Sequence, residues 1–177
     1  MLSPDAQMID RRILQEARTL VAAGYAVDVL SGFECAAPDA YEEHGYRVKR
    51  YRYDWRDPRR EAFRRKAGAA APLWPFARLA TRLSGGPTAF EAYVMDKALE
   101  HRFDVVHVHD FPMLRAGALI ARKRGAPLIY DSHEFYPVQA CFSPADQKRY
   151  LALEGRLARD CAAIITVNPY LARMIGE

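Results

Sequence analysis

Apolar residues at Ile9, Ile13, Ala17 and Leu20, with Leu14 and Val21 beside them, recur every three or four positions and predict a helix from about Met8 to Ala23, stopped by Gly24. The next apolar run, Ala26-Val27-Asp28-Val29-Leu30, has the length of a strand. Arg47 to Tyr53 alternates Val48, Arg50 and Arg52 with Lys49, Tyr51 and Tyr53, the period of a second strand nearer a sheet edge. Between the two, Gly32 to Gly45 reads as a loop. From Pro58 to Glu100 the helical spacing is broken at Pro72, Pro75 and Ser84-Gly85-Gly86-Pro87, which predicts two or three helices that do not share an axis.

Beyond that stretch the pattern sharpens. Asp104 to His109 reads as a strand, Met113 to Arg124 as a helix with Gly117, Ile120 and Ala121 facing inward, and Leu128-Ile129-Tyr130 as a strand. Ser143-Pro144-Ala145-Asp146 supplies the cap, first-turn proline and third-position acid of a helix whose apolar face is Tyr150, Leu153, Leu157 and Cys161. Ala163 to Val167 is the last strand, and Pro169 opens a short terminal helix. Strands separated by helices of these lengths predict an α/β, Rossmann-like, mainly parallel sheet with helices on both faces, and residues 1–177 are expected to form one domain. Such domains open on a strand, yet only about seven residues precede the first helix. The first strand is therefore expected to be missing, with its position in a 3-2-1-4-5-6 order vacant or filled by another chain. Exposed strand edges at 26 to 31 and 104 to 109 would then favour self-association.

Composition narrows the class. Half of the residues are apolar (50%) and 27% are charged, as in a packed globular chain. No apolar run reaches the roughly 18 to 20 residues of a bilayer span, and Met1-Leu2-Ser3-Pro4-Asp5 lacks the basic-then-apolar plan of a secretion signal. Cys35, Cys141 and Cys161 are odd in number and lack CxxC spacing, which argues for a reducing, cytoplasmic setting and against a disulfide framework. The net charge of +4 is uneven: residues 47 to 66 hold ten basic side chains against three acidic ones, leaving the rest of the chain at −3. The window has no nucleic-acid-binding module, and Tyr51, Tyr53 and Trp55 alternate as strand residues do, so no nucleic acid partner is expected. An anionic membrane surface fits better. Arg59, Arg60, Arg64 and Arg65 would each contribute on the order of 1 kcal/mol near such a leaflet, and Trp74 in Pro72-Leu73-Trp74-Pro75-Phe76 would seat at the interface. A solvated helix whose aromatic residues pack into the domain is the plainer alternative.

An open parallel sheet binds ligands beyond the carboxyl ends of its strands. At those ends stand His107, His109, Asp110 and Phe111, then Asp131 to Pro137, then Asn168-Pro169, so three strands deliver titratable or amide groups to one edge. His107 alternates with Val106 and Val108 and is assigned to packing against a helix. His107, His109 and His133 have no familiar ligand spacing, so no metal is expected.

The order and spacing of several segments resemble the amino-terminal domain of family 4 glycosyltransferases with the two-domain GT-B architecture. These segments are Asp10-Arg11-Arg12 with Glu16-Ala17 and Leu20, Gly24-Tyr25-x-Val27-x-Val29, Asp104-Val105-Val106-His107-x-His109-Asp110, Tyr130-Asp131-Ser132-His133-Glu134, Glu154, and Ile164-Ile165-Thr166-Val167-Asn168. The resemblance runs over most of the chain. It implies retaining transfer of a sugar from a nucleotide diphosphate donor to a glycan or lipid-linked acceptor hydroxyl, with no cofactor and no metal held by an aspartate pair. The amino-terminal domain shapes the acceptor side, and a carboxyl-terminal domain holds the nucleotide.

The resemblance assigns His133 to catalysis as a neutral imidazole facing the reacting sugar, with Glu134 placing the acceptor or fixing His133. Asp110, His109, Asp10, Arg11 and Asn168 are expected to bind substrate, and Glu154 to pair with a buried arginine or backbone group. Three features depart from the family pattern. The family's pair of glutamates eight positions apart has no counterpart, Ser3-Pro4-Asp5 stands where a small-residue loop should end, and Cys161-Ala162-Ala163 replaces an acid before the last strand. The donor-binding domain is thus expected to be absent from this chain, and the chain alone inactive. The expected setting is bacterial surface polysaccharide or glycolipid synthesis, in the cytoplasm or at the inner face of the cell membrane. A nucleotide-sugar epimerase of the same architecture and a non-catalytic acceptor- or membrane-binding module are the alternatives.

Overall fold

Short strands survive in a parallel sheet when both faces are covered, and Val29, Val48, Val108 and Tyr130 are fully buried in theirs. The computed structural model describes residues 1–5, 8–31, 34–52 and 87–176. In chain order these form α1 (Arg11–Ala22), β1 (Asp28–Ser31), β2 (Glu34–Glu43), β3 (Tyr46–Arg52), α2 (Ala89–Leu99), β4 (Val106–His109), α3 (Phe111–Arg124), β5 (Leu128–Ser132), α4 (Pro144–Ala158), β6 (Ala163–Thr166) and α5 (Pro169–Gly176). The helices predicted between Pro58 and the start of α2 fall outside the described residues, as do Arg59, Arg60, Arg64, Arg65 and Trp74. No described helix is long and apolar enough to cross a membrane.

Strand β1 pairs in parallel with β3, and β4, β5 and β6 pair in parallel in that order. Residues 1–3 join the two halves. Leu2 bridges in parallel to Leu30 on one side and to Val108 on the other. Leu30 N donates to Met1 O at 2.9 Å and Ser3 N to Leu30 O at 3.0 Å, while Leu2 N donates to His107 O at 2.7 Å and His109 N to Leu2 O at 2.9 Å. The expected vacancy at the first position is corrected by these four bonds. A stub too short to show a period completes both ladders, with Leu2 buried between them. The edges at 26 to 31 and 104 to 109 are therefore paired and offer no basis for self-association; among the described residues the open edge of the parallel half is β6, with Ile164 and Ile165 exposed.

The predicted loop from Gly32 to Gly45 is also corrected. Most of it is β2, an edge strand antiparallel to β3. His44 and Gly45 adopt φ of 49° and 82°, which is the two-residue hairpin turn that keeps strand twist. A polar edge strand carries little apolar alternation, so its partner specifies it; Arg50 Nε on β3 holds Asp39 Oδ1 at 2.8 Å.

Helix boundaries follow the caps. Asp10 Oδ1 accepts from Arg12 N at 2.7 Å at the start of α1, Ser143 Oγ accepts from Asp146 N at 3.2 Å at the start of α4, and Gly125 closes α3 at φ 67°. The core beneath the candidate site comes from α3, whose Leu114, Ile120 and Ala121 pack with Val108, Leu128 and the α2 residues Val94 and Ala98. Gly117 lets α3 lie directly on the sheet, because a Cβ there would collide with the Val108 side chain.

Candidate active site

Helix α3 starts one residue after β4 ends, and the turn falls on Asp110 with φ 61° and ψ 157°. That backbone region is one that only glycine occupies without strain. The conformation is fixed from two directions. Asp110 N donates to Asp131 O at 2.9 Å, and Asp110 Oδ1 accepts from His133 N at 3.1 Å. Two adjacent strand ends are thus stitched together.

His133 follows β5 with its ring between two carboxylates. Nε2 lies 2.8 Å from Asp131 Oδ2 and Nδ1 lies 3.5 Å from Asp110 Oδ2. The expected neutral imidazole is corrected: Asp110 and then Asp131 favour the protonated ring and raise its pKa to about 10, against burial. Burial opposes the charge of Asp131, but its contacts with His109 and His133 outweigh that cost and hold it below the usual carboxylate range. With Nε2 committed to Asp131, His133 Nδ1 has no hydrogen-bond partner among the described residues.

One turn deeper, His107 and His109 sit two residues apart on β4, so their rings share a face and stack at 4.5 Å between centroids. Burial keeps both neutral, lowering His107 to about 3 and His109 in the same direction. Glu16 reaches them from α1, its Oε2 3.7 Å from His107 Nε2 and 3.9 Å from His109 Nε2. Burial first, and then the charge of Asp131, push the Glu16 carboxyl up to about 7. His107 does face a helix as expected, but its Nε2 finds no hydrogen bond there among the described residues.

A cleft of about 860 Å³ opens between α1 and the face of β4 to β6, and Arg12, Glu16, His107, Asp131 and His133 are in its lining. Of the residues named from the sequence, His133 reaches this cleft directly, while Asp110 and His109 act on it through His133 and Asp131. Glu134 is exposed and its carboxylate accepts from Gln139 Nε2 at 2.7 Å; the groups that fix His133 are Asp110 and Asp131. Asp10 caps α1 and grips Arg12, with its Oδ2 2.6 Å from Arg12 Nη2. Arg11 is exposed, and the neighbouring Arg12 lines the cleft together with Arg102. Asn168 is exposed and caps α5, its Oδ1 accepting from Leu171 N at 2.9 Å. The expected partner of Glu154 is corrected too: its carboxylate accepts from the buried Tyr130 hydroxyl at 2.6 Å.

Sequence reasoning gave no role to Glu16 or Asp131. A signal was present for each, a carboxylate two helical turns into α1 and an acid two residues before His133, but their meeting point depends on how α1 lies across the sheet. A family model described as a glycosyl transferase 4-like domain matches residues 9–177. No curated protein matches the chain.

Proposed function

Because the chain belongs to the glycosyl transferase 4-like domain family, we propose that it forms the acceptor-side half of a retaining glycosyltransferase, moving a sugar from a nucleotide diphosphate donor to a hydroxyl of a glycan or lipid-linked acceptor. The observation that carries the reading is His133, set at a strand end in the lining of the cleft with its ring held between Asp131 and Asp110.

In such a transfer the acceptor oxygen bonds to the anomeric carbon, the bond from that carbon to the diphosphate breaks, and the hydroxyl proton passes to the departing phosphate oxygen. No protein nucleophile is needed. The protein must hold sugar and hydroxyl in line and meet the charge that develops on the donor. His133 lines this cleft, and Arg12 adds positive charge to it. The groups that neutralise the leaving diphosphate are assigned to a second, nucleotide-binding domain, and no cofactor is required. The basic window from 47 to 66 supports an acceptor presented at an anionic surface.

The test is transfer of labelled sugar by the chain joined to its donor-binding domain, using a panel of nucleotide diphosphate sugars and acceptors in anionic vesicles, with anomeric configuration read by NMR. Acceptor-dependent product with the configuration of the donor is expected, and His133→Ala should lower turnover by about 10²- to 10³-fold, the usual cost of one transition-state contact. Inverted product, epimerised donor formed without acceptor, or full turnover in His133→Ala would refute the reading.

A further inference from the structure

Glu16, His107, His109 and Asp131 come from three separate elements, yet each offers one ligand atom, and these atoms all lie within 4.8 Å of one another. The glycosyl-transfer reading uses Asp131 to hold His133 and leaves Glu16 and the two strand histidines without a task. Glu16 Oε2, His107 Nε2 and His109 Nε2 are all buried atoms without a hydrogen-bond partner among the described residues. A buried polar group left unpaired costs about 1–3 kcal/mol, so a cluster of three calls for an occupant.

The donor set says which occupant. Two carboxylates and two neutral imidazoles present lone pairs, whereas a water molecule has only two protons to share among them.

Spacing agrees. Ligands at about 2.0–2.1 Å around a tetrahedral ion stand about 3.3 Å apart. The Glu16 to histidine separations of 3.7 and 3.9 Å need to close by about half an ångström, and the widest separation among the four, up to 4.8 Å, by up to about 1.5 Å. Glu16, His107 and Asp131 line the cleft, which supplies an entry path.

We propose that Glu16, His107, His109 and Asp131 bind one divalent transition-metal ion of the zinc class. Paired imidazoles favour such an ion over magnesium or calcium. The site lies beside His133 and requires no part of the transferase reading.

The test is binding of Zn²⁺ to the purified, chelator-stripped chain by competition with a chromogenic chelator, with the visible spectrum of bound Co²⁺ as a second readout. One Zn²⁺ per chain is expected, unaffected by excess Mg²⁺ and accompanied by the d–d bands of Co²⁺ bound to nitrogen and oxygen. Glu16→Gln, on a half-exposed helix position, should weaken binding at least tenfold with the fold intact by circular dichroism, and His107→Gln should do the same. The exposed His44→Gln should bind as the parent does. Absence of stoichiometric Zn²⁺ binding, competition by Mg²⁺, undiminished binding in Glu16→Gln, or equal loss in His44→Gln would overturn the proposal. In the first case the cluster is a proton-sharing network. His107→Gln bears on the outcome only if it folds, and Glu16→Gln decides the matter alone if it does not.

Discussion

At Asp110, glycine should give a more stable protein than alanine, in reverse of the usual order. The residue is held at φ 61° and ψ 157° between β4 and α3, a conformation costing a residue with a Cβ about 1–3 kcal/mol. Both substitutions delete the carboxylate that accepts from His133 N and faces the His133 ring, so that loss cancels when they are compared. Opposing the relief of strain, glycine leaves the unfolded chain more entropy to lose, worth about 0.4–1 kcal/mol. The balance favours Asp110→Gly over Asp110→Ala by about 1.3 kcal/mol, within a range of about 0–2.6 kcal/mol. In a chain of this length each kcal/mol moves Tm by about 2–4 °C. Urea and thermal unfolding followed by circular dichroism, with equal m values as the check on a shared two-state transition, measure the difference. Asp110→Asn, which keeps an oxygen for His133 N, should lie above both. An alanine variant as stable as the glycine variant would show that the backbone is not strained there, and would remove the claim that Asp110 stores strain to position His133.

Gly117→Ala should destabilise by about 1–3 kcal/mol, since the added methyl meets the fully buried Val108 and α3 must lift from the sheet; an unchanged Tm would refute the close approach. Burial raises the Glu154 pKa in the folded state, against the hydrogen bond from Tyr130, so the native protein binds that proton more tightly than the unfolded chain does. Its contribution is therefore complete below the ordinary glutamate value of about 4.3 and is lost as pH rises through the native value. Unfolding free energies of the parent minus those of Glu154→Gln should fall over that range, and a difference that rises would reverse the sign of the shift. Tyr130→Phe, which removes the hydroxyl that donates to Glu154, should cost about 1–3 kcal/mol at neutral pH.

Local chemistry that the sequence states outright survived folding. The spacing from Ile9 to Leu20 marked α1, which starts at Arg11 and not at the expected Met8, the cap signal at Ser143 set the start of α4 where predicted, and the strand-end run Asp131-Ser132-His133 placed His133 at the cleft. Each of these rests on neighbours within one or two turns, so a periodic pattern suffices to specify it. Tertiary structure alone decided the rest. Residues 1–3 carry no period, and they run as a bridging segment because β1 and β4 present two ladders to be paired on either side of it. Segment β2 is polar and at an edge, so its strand state comes from the pairing with β3. Asp110 has an unremarkable sequence context, and its left-handed backbone follows from how abruptly β4 must turn into α3. The charge of His133 and the meeting of Glu16 with His107 and His109 depend on which side chains lie across a gap between elements more than twenty residues apart in the chain. Ionisation and ligand geometry respond to distances of a few ångströms through space, and a one-dimensional pattern contains none of those distances until the sheet order and the tilt of α1 have set them.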